Sequence, residues 1–379
     1  MPTLSPYPYR PVHQRILSTR IDPQPSSLLF KKLPAEVRFN IFCYALSDYP
    51  NPDPKKAYES WSCYTRPSYF APRKAETALV LTCKAIYSEC WFLPFRLYEQ
   101  VHYAVANRNR APPGYEFSRQ LTRLELSLQS MREREQQPVL ISNLRVFAQM
   151  CMLEQGALAK VLAVPELNPS IVTLTIRHTD WWNWEHDQPL SFNGSWLEGV
   201  SQVMPPSVRE LNIELESVDR KRYQVDEIAR QMMEKWFFRR TDGVALYAFQ
   251  QQEGHWRGTS RWERLRWVRD EILEGVIDFY VATLTFLPET RLQRHQTSPV
   301  ARENANSTPV DWDRLTLSKL SWKTISTERP PFMTEKEQMR YYRQLWRNRP
   351  DIQRSRGVIR GPPRFYQQIN RNISQAHSL

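Results

Sequence analysis

The chain has 379 residues, 41% hydrophobic and 24% charged, with a net charge of +12; this globular balance excludes wholesale disorder, a collagen-like repeat and a membrane bundle. Only 10 glycines stand against 29 prolines, which argues against the glycine-built phosphate loops of nucleotide-binding enzymes. The charge is uneven, because residues 327–379 carry 11 basic and 4 acidic side chains, and with them +7 of the +12.

Residues 1–27 are proline-rich, lack apolar periodicity and are expected to be disordered. From Leu28, the run LLFKKLPAEVRFNIFCYAL predicts a helix. Pro34 suits its first turn, Glu36 complements the dipole, and Val37, Ile41, Phe42, Ala45 and Leu46 form one apolar stripe. Residues 47–74, rich in Pro, Tyr and Asp, read as a long connection, and ALVLTCKAIYSECWFL then resumes helical spacing through Leu79, Cys83, Ile86, Tyr87 and Cys90. Further along, LTRLELSL, IVTLTI and VRELNIEL each place apolar residues at i, i+3 and i+5, at Leu121, Leu124, Leu126, at Ile171, Leu174, Ile176 and at Val208, Leu211, Ile213. That spacing resembles the strand of a leucine-rich repeat, but the intervals of 50 and 37 residues exceed a regular repeat. Three similar strands are expected instead.

A helix is expected over residues 143–164, and its alternation with strands favours a partly parallel sheet. The clearest helix is 223–239, with Val225, Ile228, Ala229, Met232, Met233, Trp236 and Phe237 on one stripe. Asp242-Gly243 marks a turn before VALYAF, and QQEG leading to HWRG suggests a hairpin. A charged helical stretch precedes a long strand, VIDFYVATLTFL. Residues 289–311 read as loop and LTLSKLSW at 315–322 as an edge strand. In the tail, Thr334 and Glu337 form a capping box for a short helix running to about Arg347.

The spacing-dependent catalytic motifs are absent, including G-x-G-x-x-G, the P-loop, H-E-x-x-H, G-x-S-x-G and paired C-x-x-C. No cofactor or metal is called for. RHTDWWNWEHD gathers His178, Asp180, Glu185, His186 and Asp187, all candidate ligands or acid-base groups, but at no established ligand interval; a polar loop over a core is the favoured reading. Two tryptophan groups, Trp181, Trp182, Trp184 and Trp256, Trp262, Trp267, serve either a core or a binding groove, with core favoured. Five cysteines without a pairing pattern, no secretory signal and no membrane-length apolar run give an expectation of a reduced, intracellular protein, cytoplasmic or nuclear.

Leu33, Pro34, Glu36, Val37 and Arg38, followed by Thr82, Cys83, Lys84, Ile86, Tyr87 and Glu89, match the pattern LP-x-E-[IV]-R … TC-[KR]-x-[IV]-Y-x-E. In this the chain resembles the F-box-like N-terminal module of uncharacterised proteins of filamentous fungi. The resemblance implies docking onto the Skp-type adaptor of a cullin ubiquitin ligase, with a C-terminal domain holding an unknown substrate. The implied anchors are Leu33, Pro34, Val37, Ile41 and Phe42, which equally suit the module's own core. The roughly 50 residues between Leu33 and Cys83 exceed the compact F-box.

The expected fold is α+β. An F-box-like helical module spans 28–105, a mixed sheet with helices and irregular leucine-rich-repeat-like strands spans 106–326, and a basic, partly disordered tail spans 327–379. The expected function is a non-enzymatic protein interaction, as a ubiquitin-ligase substrate adaptor. The alternative is nucleic-acid binding through Arg340, Arg343, Arg347, Arg354 and Arg356 of the aromatic, arginine-rich tail.

Overall fold

A computed structural model describes residues 16, 18–135, 140–262, 265–307, 309–315, 317, 332–334, 337 and 340. Residues 1–332 form one compact unit and residues 333–379 a second. In the second unit the Glu337 amide donates to Thr334 Oγ1 at 3.3 Å and the Thr334 amide to Glu337 Oε2 at 2.9 Å, the reciprocal pair of a capping box.

The first unit opens with α1 (Leu28–Lys32) and α2 (Ala35–Leu46). The following connection is folded: β1 (Asp48–Pro50) pairs antiparallel with β2 (Arg73–Ala75), and Tyr58, Tyr64 and Tyr69 pack with Tyr103 and Phe147. Next come α3 (Lys84–Cys90), α4 (Leu93–Leu97) and β3 (Gln100–Ala104). Cys83 caps α3, its Sγ accepting from the Ile86 amide at 3.5 Å. The two halves of the LP … TC pattern meet here, because Arg38 of α2 donates to both oxygens of Glu89 on α3 at 2.9 and 2.7 Å. Phe42, Leu46, Val80, Ile86, Cys90 and Leu93 form the small core beneath them.

Helix α5 (Phe117–Glu135) replaces the first expected leucine-rich strand. Leu124 and Leu128 are buried four residues apart while Leu126 is 60% exposed, which is helical spacing. The expected helix over 143–164 is instead β4 (Leu140–Ala148) followed by α6 (Met150–Glu154) and α7 (Ala157–Leu162). In β4, Leu144, Val146 and Ala148 alternate toward one face, so period two prevails there. The other two expected strands form as β5 (Asn168–Ile176) and β6 (Glu210–Val218), separated by α8 (Trp196–Val203).

Helix α9 (Arg222–Lys235) forms where its stripe predicts, but it ends before Trp236, and β7 (Phe237–Arg239) begins at Phe237. The Asp242-Gly243 turn forms with Gly243 at φ +86°, a conformation glycine adopts without strain. Beyond it, QQEG makes no hairpin. β8 (Ala245–Thr259) runs straight through it, because β12 pairs with it from Leu246 to Thr259. The stretch expected as helix holds β9 (Arg261–Trp262), β10 (Leu265–Trp267) and β11 (Glu271–Leu273), and β12 (Val276–Pro288) is the expected long strand. Residues 289–311, read as loop, contain α10 (Pro299–Asn306), started by Ser298 as its side-chain cap. Residue 316 and residues 318–322 of the proposed edge strand lie outside the described residues, as do 1–15 and 17 of the segment expected to be disordered.

Eight strands make one mixed sheet, ordered β3-β4-β5-β6-β12-β8-β7, with β11 on β12. β3 through β6 are parallel neighbours, whereas β6, β12, β8 and β7 are antiparallel. Strand β3, read from sequence as part of the helical module, thus belongs to this sheet. Leu144, Leu174, Ile213 and Leu284 turn to one face, where Leu158, Val161, Leu197, Val225, Ile228 and Met232 of α7, α8 and α9 complete the main core. No helix among the described residues is long and apolar enough to cross a membrane.

Candidate functional site

Helix α2 carries two apolar sides. At about 100° per residue, Phe42 and Leu46 point together into the small core, and Val37, Ile41 and Tyr44 share a ~60° arc on the opposite side. Phe42 is 1% and Leu46 0% exposed, while Val37 is 42%, Ile41 41% and Tyr44 87% exposed. Of the five anchors named from sequence, Phe42 is therefore a core residue. Val37, Ile41 and Pro34 are exposed and Leu33 is half-buried at the helix entry. Ala45 belongs to neither core nor arc. Sequence reasoning merged the two sides into one stripe and missed Tyr44, although it lies one turn beyond Ile41. Arg38 fixes this helix end: besides Glu89, its Nη1 donates to the Leu33 carbonyl at 2.7 Å, and its guanidinium lies 5.2 Å from the Phe30 ring.

The second feature is the sheet face opposite the main core. Strand register sets Arg145, Thr173, Asn212, Thr285 and Gln250 in one row across five strands, and Phe147, Thr175, Glu214, Thr283 and Gln252 in the next. A concavity of about 320 Å³ lies over these rows. Thr285 donates to Asn212 Oδ1 at 2.8 Å; Arg145 donates to Glu214 at 2.7 Å, to Thr175 Oγ1 at 2.8 Å and to Glu99 at 3.0 Å. Burial would raise the Glu214 carboxyl, but Arg145 and Arg66 outweigh it and hold the group below the usual carboxylate range. Two residues on, burial wins at Glu216 and raises it, with Arg66 3.4 Å away and Trp256 Nε1 donating at 2.9 Å. The signal in sequence was the polar residue interleaved between apolar ones in TLTI and NIEL.

The RHTDWWNWEHD cluster does not converge on a ligand. Arg177, fully buried, donates to both oxygens of Asp180 at 2.6 and 3.1 Å, so that carboxylate is occupied. His178 is enclosed by Trp184, Trp262 and Trp267 at 5.6, 5.6 and 5.1 Å between ring centroids, with Nδ1 3.3 Å from Ser217 Oγ. Burial pushes its imidazole down to about 3, with help from Lys221. Glu185 pairs with Arg110 at 2.9 Å, Asp187 with Lys221 at 2.9 Å, and His186 is exposed. Among the described residues no group of three His, Cys, Asp or Glu side chains is arranged to hold a metal ion. The two tryptophan groups join here in the core: Trp181, Trp184, Trp262 and Trp267 are buried, Trp256 stacks on Phe279 at 4.3 Å, and Trp182 is exposed.

In the tail, Arg340 is exposed, and Arg343, Arg347, Arg354 and Arg356 lie outside the described residues. No protein-family model, no curated protein and no solved structure matches this chain.

Proposed function

We propose that this protein is a non-enzymatic interaction module in which the outer side of α2 docks onto a Skp-type adaptor of a cullin ubiquitin ligase and the sheet body holds a substrate. One observation carries the reading: Val37, Ile41 and Tyr44 present an apolar arc to solvent, flanked by Leu33 and Pro34, on a helix whose other side already supplies its own core. A helix that needed only to fold would place polar residues on that outer arc. The LP-x-E-[IV]-R resemblance names the partner, and the Arg38–Glu89 bridge gives its signature residues a physical task, the clamping of α2 to α3. The polar rows of the sheet supply hydrogen-bonding groups for the substrate.

The test is co-expression of the full chain with the Skp-type adaptor, followed by size-exclusion chromatography of wild type, Ile41→Asp and Val37→Asp. Both positions face solvent, so the variants keep a wild-type melting profile. Co-elution of the wild type and separate elution of folded variants is the expected result. Separate elution of the wild type sinks the adaptor reading.

A further inference from the structure

A groove of about 890 Å³ lies elsewhere in the first unit, near the upper end of the size common for ligand sites. Its floor is β3, which ends the large sheet and pairs only with β4 among the described residues. One wall is α3 and α4, contributing Trp91 and Phe95; the other is α5, contributing Leu124 and Leu128. The lining is dominated by aromatic side chains and prolines, and few of its members are charged.

One buried polar atom in this lining lacks a partner. His102 is 3% exposed, and its Nε2 has no hydrogen bond among the described residues. The network assigns the ring's protons. Tyr115 Oη accepts the Tyr103 amide at 2.9 Å, and its hydroxyl proton then goes to His102 Nδ1, 3.2 Å away. That leaves the proton on Nε2 as an unsatisfied donor, and burial keeps the ring neutral by pushing it down to about 4.

We propose that this groove binds an extended, proline-rich peptide segment of a partner protein, laid along β3 with a backbone carbonyl accepting from His102 Nε2. A polyproline-type segment makes no internal hydrogen bonds, so its carbonyls need donors, and its flat rings pack on aromatic walls. An edge strand flanked by such walls meets both needs. Charge selects further: Arg73 is already bridged to Asp48, whereas Arg123 on α5 is exposed and has no carboxylate partner among the described residues, which favours an acidic residue beside the prolines. The groove does not include the outer arc of α2, so this inference does not rest on adaptor docking.

The test is fluorescence anisotropy of the full chain with a labelled decapeptide of alternating proline and leucine bearing one aspartate at its N-terminal end. The control peptide has every proline replaced by glycine. Saturable binding of the first peptide, at least tenfold tighter than the control, is expected. Phe95→Ala, at a position 47% exposed, keeps the melting profile and weakens binding about tenfold. His102→Phe removes a buried unsatisfied donor, so the fold tolerates it, and it weakens binding by a similar factor. Equal binding of both peptides, insensitivity to both substitutions, or no binding up to about 1 mM overturns the proposal. Capture of N-phenyl-1-naphthylamine without peptide binding assigns the groove to a small apolar ligand and also overturns it.

Discussion

Helices α2 and α9 are both amphipathic, yet they use their apolar residues differently. On α9, Val225, Ile228, Ala229 and Met232 are all 4% exposed or less, and the opposite side is polar. Arg230 there bridges Glu227 at 2.6 Å and Glu234 at 2.9 Å. On α2 the core takes only Phe42 and Leu46, and a second apolar side remains uncovered. The difference separates residues selected to fold the chain from residues that folding does not need, and the second kind is what an interaction surface consists of.

The contrast between buried and uncovered groups sets the expected effects of substitution. The largest belongs to the most enclosed ion pair: Arg177→Met leaves Asp180 charged and buried, costing about 3–5 kcal/mol, and Arg177→Met with Asp180→Leu regains much of it. Chemical denaturation of the single and double variants measures both. Equal stability of the two variants removes the pair's special standing. Next come the two helices themselves. Met232→Ala on α9 costs about 2–5 kcal/mol, while Ile41→Ala on α2 costs about 1 kcal/mol or less. A similar loss at both sites shows that the outer arc of α2 is core and ends its candidacy as a docking surface.

A smaller effect is expected from pH. Burial sets the folded His178 at about 3 against an ordinary value of 6.5, so the unfolded chain binds the proton first as the solution is acidified. Stability from His178 is therefore fully present above about pH 6.5 and is lost as pH falls toward 3, with a slope near 1.4 kcal/mol per pH unit. His102, set at about 4, acts in the same direction. Denaturant midpoints between pH 6.5 and 5 fall for the wild type, and His178→Phe lowers the slope by roughly half. An unchanged slope in that variant shows that the histidine is accessible to protons in the fold. The smallest effect is at the Arg38–Glu89 bridge, whose partners are 14% and 32% exposed. Glu89→Gln costs about 1 kcal/mol, and a double-mutant cycle with Arg38→Met reads the coupling.

Sequence periodicity revealed α9, β5, β6, β12 and the Gly243 turn, because in each the local pattern and the tertiary environment agree. It failed at α5, where Leu121 and Leu124 satisfy a strand-like and a helical spacing equally and only the burial of Leu128 distinguishes them. It failed at β4, whose apolar residues continue into α6 and α7 without a break in composition. It also failed at β8, where QQEG carries turn residues but β12 imposes extension on both sides of Gly254. The docking arc was half legible: Val37 and Ile41 stood out as apolar, but the direction of each side chain depends on α3 and α4 packing beneath. The polar rows of the sheet were not legible, since they exist only once register aligns five strands separated by up to 140 residues.

The change of direction within the sheet also governs how the chain is made. β6 emerges during synthesis with β5 already available on one side, but its other neighbour, β12, begins only at Val276. For the intervening residues, nascent β6 presents an open edge bearing Leu211, Ile213 and Leu215, the combination through which partly made sheets join with one another. The parallel half is thus a translational intermediate that a chaperone must shield until the central strand arrives. A ribosome stalled between residues 218 and 276 would hold the molecule in its most aggregation-prone form.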